Sequence, residues 1–145
     1  MSDPYHSACE RLIHFYTHLT QESLHSISAI YHPDVCFKDP FNDVRGCAGV
    51  TRIFAHMFDT VDNPSFTVTQ YMQQSDQAFL IWNFTFRRKG KPHQHLTIKG
   101  VSHVRFNETG LVVLHRDYWD PAEELYEKIP LLGGLMRWLK KQLTA

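Results

Sequence analysis

The fold is decided by residues 66–119, which read FTVTQYMQQSDQAFLIWNFTFRRKGKPHQHLTIKGVSHVRFNETGLVVLHRDYW. Apolar side chains recur there at every second position, a period that predicts β-strands with one buried face. Turn-forming residues at 87–92 and 107–110 divide the stretch. We therefore expect four long antiparallel strands, at residues 66–74, around 79–86, at 95–106 and at 111–119. The alternation assigns these side chains to single faces of the first two strands: Phe66, Val68, Gln70 and Met72, then Leu80, Trp82, Phe84 and Phe86.

The residues before position 66 show the three-and-four spacing of amphipathic helices. A second, short helix is expected over residues 24–31, because Pro33 disfavours helix in the residue before it. A brief extended piece at 35–37 precedes a third helix, which follows Gly46 and ends near Pro64. The apolar stripe of the first helix is predicted at Ala8, Cys9, Leu12, Ile13, Phe15, Tyr16 and Leu19, and that of the third at Val50, Ile53, Phe54, Met57 and Phe58.

Helices followed by antiparallel strands indicate an α+β fold, and 145 residues leave room for a single domain. The helices can cover only one face of the sheet, so the other face is expected to be solvated or paired with another chain. Asp120 and Pro121 are suited to begin a further helix. Residues 128–145 then combine basic side chains with leucines and carry no acid. Such a segment folds back over its domain or, less often, lies on an anionic membrane surface.

Composition excludes several classes of protein. Fifteen basic and fifteen acidic residues balance, which disfavours a nucleic-acid-binding surface. Cys9, Cys36 and Cys47 follow no disulfide or zinc spacing. His14 and His18 have a helical metal-binding spacing but no acidic third ligand beside them, so no metal is expected. No secretory signal or membrane span is recognised, and a cytoplasmic location is therefore predicted.

Two stretches of the chain resemble a known superfamily: residues 30–50, IYHPDVCFKDPFNDVRGCAGV, and residues 106–123, FNETGLVVLHRDYWDPAE. With the order of elements over about residues 10–120, they are similar to the nuclear transport factor 2-like superfamily and most closely to its SnoaL-like branch. That branch includes polyketide cyclases and relatives of ketosteroid isomerase and limonene-epoxide hydrolase. The resemblance implies a strongly curved antiparallel sheet wrapped around the N-terminal helices, an apolar pocket inside this cone, and a homodimer formed through the outer sheet face. Residues 121–143 would be a helical appendage of the single domain, 1–145.

The resemblance also implies candidate catalytic residues. Asp39 matches the general base of the isomerase-like members, although an aspartate before proline also makes a turn. The oxyanion-binding tyrosine of those members aligns with Phe15, one position before Tyr16. Their second donor aligns with Ser102, which is a weaker acid. Because half of this machinery is missing or displaced, steroid isomerisation itself is not expected.

The epoxide hydrolases need an arginine and an aspartate where this chain has Trp82 and Phe84, so their reaction is not expected either. Their water-orienting carboxylate does match Asp117. Strand alternation places His115, Asp117 and Trp119 on one face. If that face is the inner one, Asp117 joins Asp39 in the pocket, and two carboxylates with a histidine can perform acid–base chemistry. Alternatively, Asp117 is a partner of the adjacent arginine or of the following helix.

The predicted function is a small-molecule pocket protein that acts on a hydrophobic substrate as an isomerase, cyclase or dehydratase, with Asp39 as general base and no cofactor. Two alternatives stay open: a binding module for an apolar ligand without turnover, and a dimeric interaction protein that docks through its C-terminal amphipathic helix. Periodicity alone would assign the strand residues of the pocket wall to the core. The residues expected to form that wall are Phe15, Phe54, Trp82, Phe84, Phe86 and Trp119.

Overall fold

The computed structural model of the protein describes residues 3–126. Two helices and two strands come first in the chain, and a third helix separates them from the other four strands of a six-stranded sheet. The predicted amphipathic segment after residue 127 lies outside the described residues, as do the proposals that depend on it. The elements are α1 (Pro4–Thr17), a 3₁₀ turn (Glu22–Ser26), α2 (Ile27–Ile30), β1 (Tyr31–Lys38), β2 (Asp43–Arg45), α3 (Cys47–Thr60), β3 (Val61–Gln74), β4 (Gln77–Arg88), β5 (Lys91–Phe106), β6 (Val112–Tyr118) and a π-helical turn (Ala122–Tyr126).

Helix α1 forms where the apolar spacing predicts it. The Asp3 carboxylate accepts a hydrogen bond from the Tyr5 backbone N–H at 2.9 Å, and Pro4 occupies the first helical turn, where its missing N–H costs nothing. The helix ends at Thr17, so Leu19 of the predicted stripe lies beyond it. The buried side chains of α1 are those of the predicted stripe: Ala8, Cys9, Leu12, Phe15 and Tyr16.

The second helix is shorter than predicted, because it ends at Ile30 and Tyr31 begins β1. Tyr31 is fully buried and pairs with Val112 of β6. The register between β1 and β6 shifts between Tyr31 and Cys36, so Pro33 lies in the strand at a point where the ladder is interrupted. A proline is tolerated there because it has no N–H to contribute.

The sheet is mixed rather than wholly antiparallel, and its strand order is β2-β1-β6-β5-β4-β3. Strands β1 and β6 pair in parallel, and all other pairs are antiparallel. Strand β2, which the sequence pattern did not predict, forms a hairpin with β1. The four strands predicted from the period of two are β3, β4, β5 and β6, and the α+β class is confirmed.

One predicted strand face is wrong at its far end. In β3, Val68 pairs with Trp82 but Gln70 pairs with Ile81, so Thr69 is an extra residue in the strand. A bulge of this kind inverts the alternation beyond it. Met72 therefore points outward and is 58% exposed, instead of sharing the inner face with Phe66 and Val68.

The inner face of the sheet packs against α1 and α3, and the outer face carries exposed side chains. Among the large apolar residues, Met72, Phe79 and Tyr118 are exposed there. The guanidinium of Arg116 lies over the Tyr118 ring, 4.8 Å from its centre, which confirms that Arg116 and Tyr118 share the face opposite His115. Pairing of two chains through this outer face stays a prediction. Within residues 3–126, no helix is long and apolar enough to cross a membrane.

Candidate functional site

A cavity of about 420 Å³ opens between α3 and the inner face of the sheet. Its size falls in the range of roughly 300–1,000 Å³ that small-molecule sites occupy. Most of the residues in its wall are apolar, and aromatic residues are the largest group among them. The aromatic lining consists of Phe37, Phe41, Phe54, Phe66, Trp82, Phe84, Phe86 and Trp119, and the polar lining of Asp39, Asn42, His56, Thr60, Arg88 and Asp117.

The position of Trp82 depends on a glycine in the neighbouring strand. Trp82 pairs with Gly100 of β5, and a Cβ at Gly100 would lie 2.4 Å from Cη2 of the indole. Because Gly100 has no side chain, the six-membered ring of the indole can occupy this position next to β5. Its Nε1–H donates to Oγ of Ser102 at 2.8 Å. The cavity wall is thereby fixed by a hydrogen bond as well as by packing.

A row of hydrogen bonds runs from Trp82 into the core and passes through Asp117. Ser102 Oγ donates to Oδ1 of Asp117 at 2.5 Å, and Nε2 of His115 lies 2.7 Å from the same oxygen. On the other side of the imidazole, Nδ1 is 3.0 Å from the Tyr31 hydroxyl. The Tyr31 and Tyr16 hydroxyl oxygens are 2.5 Å apart. We call these six residues the polar row: Trp82, Ser102, Asp117, His115, Tyr31 and Tyr16.

The donors of the polar row can be assigned from its ends. Trp82 Nε1 can only donate, so the Ser102 hydroxyl accepts from it and gives its own hydrogen to Asp117. A neutral His115 then carries its hydrogen on Nε2, toward Asp117, and accepts at Nδ1 from Tyr31. Tyr16 donates to the Tyr31 oxygen. Every buried side-chain N or O in the described part of the chain has a hydrogen-bond partner, so the row is fully satisfied.

The two tyrosines of the polar row are held as neutral donors. Burial raises the pKa of Tyr16 well above its usual value, and the nearby Tyr31 and Asp117 raise it further. Burial likewise raises the pKa of Tyr31, although the hydrogen bond from Tyr16 opposes this. Both phenols therefore keep their protons and donate toward the imidazole, whose other nitrogen contacts Asp117.

Asp39 belongs to the turn between β1 and β2. Its Oδ1 accepts from the backbone N–H of Phe41 at 2.8 Å and of Asn42 at 2.7 Å. The Asn42 side-chain amide lies 3.1 Å from each carboxylate oxygen. Asp39 also lines the cavity. Its neighbour Lys38 is the last residue of β1 and pairs with Arg116, so Asp39 follows the strand at the level of Asp117 in β6. The aspartate therefore both builds the turn and reaches the cavity.

The structure brings most of the predicted site residues together. Those that line the cavity are Asp39, Phe54, Trp82, Phe84, Phe86, Asp117 and Trp119. Tyr16 and Ser102 line a small void of about 10 Å³ next to Trp82, and His115 is fully buried behind Asp117. Phe15 does not line the cavity; its ring packs against Phe54 and Tyr31 in the core. Of the two aromatic residues considered for the oxyanion-binding position, Tyr16 is the one whose hydroxyl enters the polar row.

Two functional residues were missed in the sequence. Tyr31 was predicted only as the last residue of the second helix, whereas its hydroxyl contacts His115, 84 positions further along the chain. No local pattern reports a contact of that length. Arg88 was placed in a solvated hairpin tip, yet it lines the cavity. The alternation of Trp82, Phe84 and Phe86 continues to Arg88 and would have predicted its inward position.

Residues 3–126 contain no group of three His, Cys, Asp or Glu side chains that could hold a metal ion. His14 and His18 stack on one another with ring centres 4.1 Å apart, on the exposed side of α1.

Comparison with known proteins agrees with this architecture. The family profile of the SnoaL-like domain matches residues 12–115, which is well over half of the chain. The chain belongs to the SnoaL-like family. No curated protein matches this SnoaL-like chain significantly.

Solved structures resemble this SnoaL-like protein along most of its length. A protein of ketosteroid isomerase-like fold from Catenulispora acidiphila, solved with trimethylamine, superposes with a TM-score of 0.70 at 14% identity, over 83% of this chain and 91% of that one. A putative SnoaL-like polyketide cyclase from Shewanella denitrificans superposes with a TM-score of 0.68 at 18% identity, over 86% of this chain and 95% of that one. An epoxide hydrolase of M. tuberculosis similar to limonene-epoxide hydrolase superposes with a TM-score of 0.68 at 15% identity, over 98% of this chain and 94% of that one. At these identities the likeness shows the fold alone.

Proposed function

We propose that the cavity binds a small, largely apolar molecule and that Asp117 transfers a proton on it, in a reaction of the isomerase, cyclase or dehydratase kind. One observation carries the proposal. Asp117 lines the cavity with a side chain that is 18% exposed, while its Oδ1 accepts hydrogen bonds from Ser102 and His115. A carboxylate fixed in this way presents its other oxygen to whatever enters the cavity.

Asp117 is preferred to Asp39 as the proton-transferring group. The resemblance assigned the general base to Asp39, but both oxygens of Asp39 accept hydrogen bonds within its turn. Taking up a proton there would compete with the N–H groups that hold the turn together. Both hydrogen bonds of Asp117 from described residues arrive at Oδ1, which leaves Oδ2 available to a ligand of the cavity that Asp117 lines.

The remaining predicted catalytic residues support Asp117 in this proposal. Ser102 and His115 fix the carboxylate, and Tyr31 and Tyr16 fix the imidazole in turn. When Asp117 takes a proton from carbon, its negative charge disappears, and these contacts keep the new carboxylic acid in place for return of the proton at another position. Tyr16 and Ser102 donate within the polar row, so they act on the substrate through Asp117.

A carbon acid tests this role without knowledge of the natural substrate. In 5-nitrobenzisoxazole, a base removes the ring C–H proton while the N–O bond breaks, and the product is a coloured cyanophenolate. We expect saturable turnover by the protein. Asp117→Asn should lower kcat by about a hundredfold or more, the usual contribution of a general base. Asp39→Asn, which keeps an oxygen for the turn, should stay within a few-fold of the unsubstituted protein.

Binding is measured separately, through quenching of tryptophan fluorescence by the neutral dye N-phenyl-1-naphthylamine. Equal affinity of the Asp117→Asn variant, together with lost turnover, is the expected pair of results. Loss of turnover in Asp39→Asn with retention in Asp117→Asn would return the base to Asp39. Dye binding without any turnover in the unsubstituted protein would support the alternative function, a module that binds an apolar ligand without reaction.

A further inference from the structure

The cavity has unlike charges at its two ends. Asp117 pairs with Ser102, which pairs with Leu80 of β4, so the carboxylate lies level with the start of the inner row of β4. That row continues through Trp82, Phe84 and Phe86 and ends at Arg88, next to the hairpin turn. Among the residues of this row that line the cavity, Trp82 and Arg88 lie farthest apart, and at roughly 3.3 Å per residue they are separated by about 20 Å along the strand. The cavity is therefore long, with carboxylates at one end and a guanidinium at the other.

The wall between these ends is a continuous aromatic surface. Phe66 and Phe84 stack with ring centres 4.5 Å apart, and Phe84 and Phe86 stack at 5.1 Å. The rings of Phe66 and Trp82 are nearly perpendicular, and their centres are 5.6 Å apart. Leu96 and Ile98 of β5 and Met57 of α3 complete the same stretch of the lining. A flat, extended hydrophobic body fits such a surface better than a compact one, because it contacts all of the rings at once.

The guanidinium end is suited to an anion. Arg88 is half-buried, and it forms no ion pair with another residue of the described range 3–126. Its Nη1 donates to Oε1 of Gln94 at 3.5 Å, which leaves most of its N–H groups for another acceptor. His56 of α3 lines the cavity as well and adds a second nitrogen donor.

We propose that the ligand of this cavity is an elongated, flat organic acid whose carboxylate binds Arg88, which rests on the function proposed above and adds its substrate class. Arginine pairs with a carboxylate through two parallel N–H bonds, and these charge-assisted bonds are about twice as strong as neutral ones. Repulsion by Asp39 and Asp117 excludes the same carboxylate from the other end. The acid therefore enters in one orientation only, with its uncharged end beside Asp117.

A pair of probes with the same aromatic body tests the anion site. We would measure the binding of trans-stilbene-4-carboxylic acid and of its uncharged methyl ester to the intact chain by calorimetry at neutral pH. The acid should bind about ten- to a hundredfold more tightly than the ester, the usual effect of a hydrogen bond to a charged group. In Arg88→Met, the preference should fall to about one, because the side chain keeps its apolar stem but loses the charge.

The neighbouring arginine provides the matched control. Arg87 lies one position earlier in β4, pairs with Asp62 of β3 and does not line the cavity. Arg87→Met should keep the full preference for the acid, and binding of the ester by Arg88→Met shows that this variant is folded. Equal binding of acid and ester by the unsubstituted protein, or an unchanged preference in Arg88→Met, overturns the proposed acid while leaving the cavity as a ligand site. If neither probe binds while N-phenyl-1-naphthylamine does, the elongated acid is wrong and the proposed function stands; if the dye does not bind either, both are wrong.

Discussion

Nε2 of His115 lies 2.7 Å from Oδ1 of Asp117, two residues further along β6. The imidazole is fully buried, whereas the carboxylate reaches the cavity. The pair therefore connects the tyrosines of the core with the space in which a ligand would lie.

His115→Phe should destabilise the protein by about 1–3 kcal/mol, because the Tyr31 hydroxyl and the Asp117 carboxylate each lose a buried hydrogen-bond partner. Urea unfolding measures the change. His95→Phe is the matched control, since His95 is exposed on β5 and the same substitution there should change the free energy of unfolding by no more than about 0.5 kcal/mol. Similar effects at the two positions would contradict a structural role for the His115 contacts.

The two buried tyrosines make the protein sensitive to alkali. Burial raises the pKa of Tyr16 and of Tyr31 well above their usual value, so the folded chain keeps two protons that the unfolded chain releases near pH 10. The resulting stabilisation is complete below about pH 10 and is lost as the pH rises further. Urea unfolding between pH 8 and 11 should show this decline.

The variant Tyr31→Phe tests whether the buried tyrosines cause this loss of stability above pH 10. It removes one of the two retained protons, so the loss of stability above pH 10 should become shallower by about 1.4 kcal/mol per pH unit. Tyr71→Phe, at an exposed position of β3, should leave the slope unchanged. An identical slope in Tyr31→Phe and in the unsubstituted protein would refute the assignment.

Gly100→Ala should displace the Trp82 indole and narrow the cavity, because the added methyl would lie 2.4 Å from Cη2. We expect a loss of about 1–3 kcal/mol in stability and weaker binding of N-phenyl-1-naphthylamine. Trp82→Phe removes the outer ring that would clash. In the Trp82→Phe background, Gly100→Ala should therefore reduce the free energy of unfolding much less than it does in the unsubstituted protein. If the effects of the two substitutions are additive, residues 82 and 100 are not in contact.

Asp39→Ala should destabilise the β1–β2 turn by about 1–2 kcal/mol, since the backbone N–H groups of Phe41 and Asn42 lose their acceptor. Asp39→Asn retains an oxygen and should cost less. Urea unfolding of both variants distinguishes them. Equal losses would mean that the charge of Asp39, and not its hydrogen bonding, maintains the turn.

Cys36 and Cys9 should react with thiol reagents at very different rates. Burial raises the pKa of the Cys9 thiol to about 11, and Cys9 is fully buried, whereas Cys36 is exposed. Because the thiolate is the reactive form, a disulfide reagent at pH 8 should modify Cys36 rapidly and Cys9 only after unfolding. Mass spectrometry of the labelled peptides gives the order, and early labelling of Cys9 would show that α1 opens readily.

The long elements and the inner strand faces could be predicted from the sequence because their periods are local properties. The stripe of α1 and the row Leu80, Trp82 and Phe86 are buried as the spacing requires. The resemblance then supplied the family, and with it Asp39 and Asp117 as cavity residues. Both are where it places them, although the turn around Asp39 gives that carboxylate a structural task that its sequence context also allowed.

The errors arise where tertiary pairing overrides the local pattern. Tyr31 has helical spacing with Ile27, but its pairing with Val112 of β6 makes it a strand residue. One inserted residue, Thr69, turns Met72 to the outer face, and no signal in the sequence distinguishes it from its neighbours. Arg88 was assigned to the turn at residues 87–92, whereas it continues the alternating inner row of Trp82, Phe84 and Phe86.

The parallel pairing of β1 with β6 has a consequence for how the chain acquires its polar row. Tyr31 and His115 lie 84 positions apart in the chain, on neighbouring strands of the sheet, so a long loop must close before their hydrogen bond can form. Contacts of such long range slow folding, since loop closure is unfavourable until the intervening sheet compensates for it. During synthesis on the ribosome, the Tyr31 hydroxyl therefore has no His115 partner until β6 has emerged.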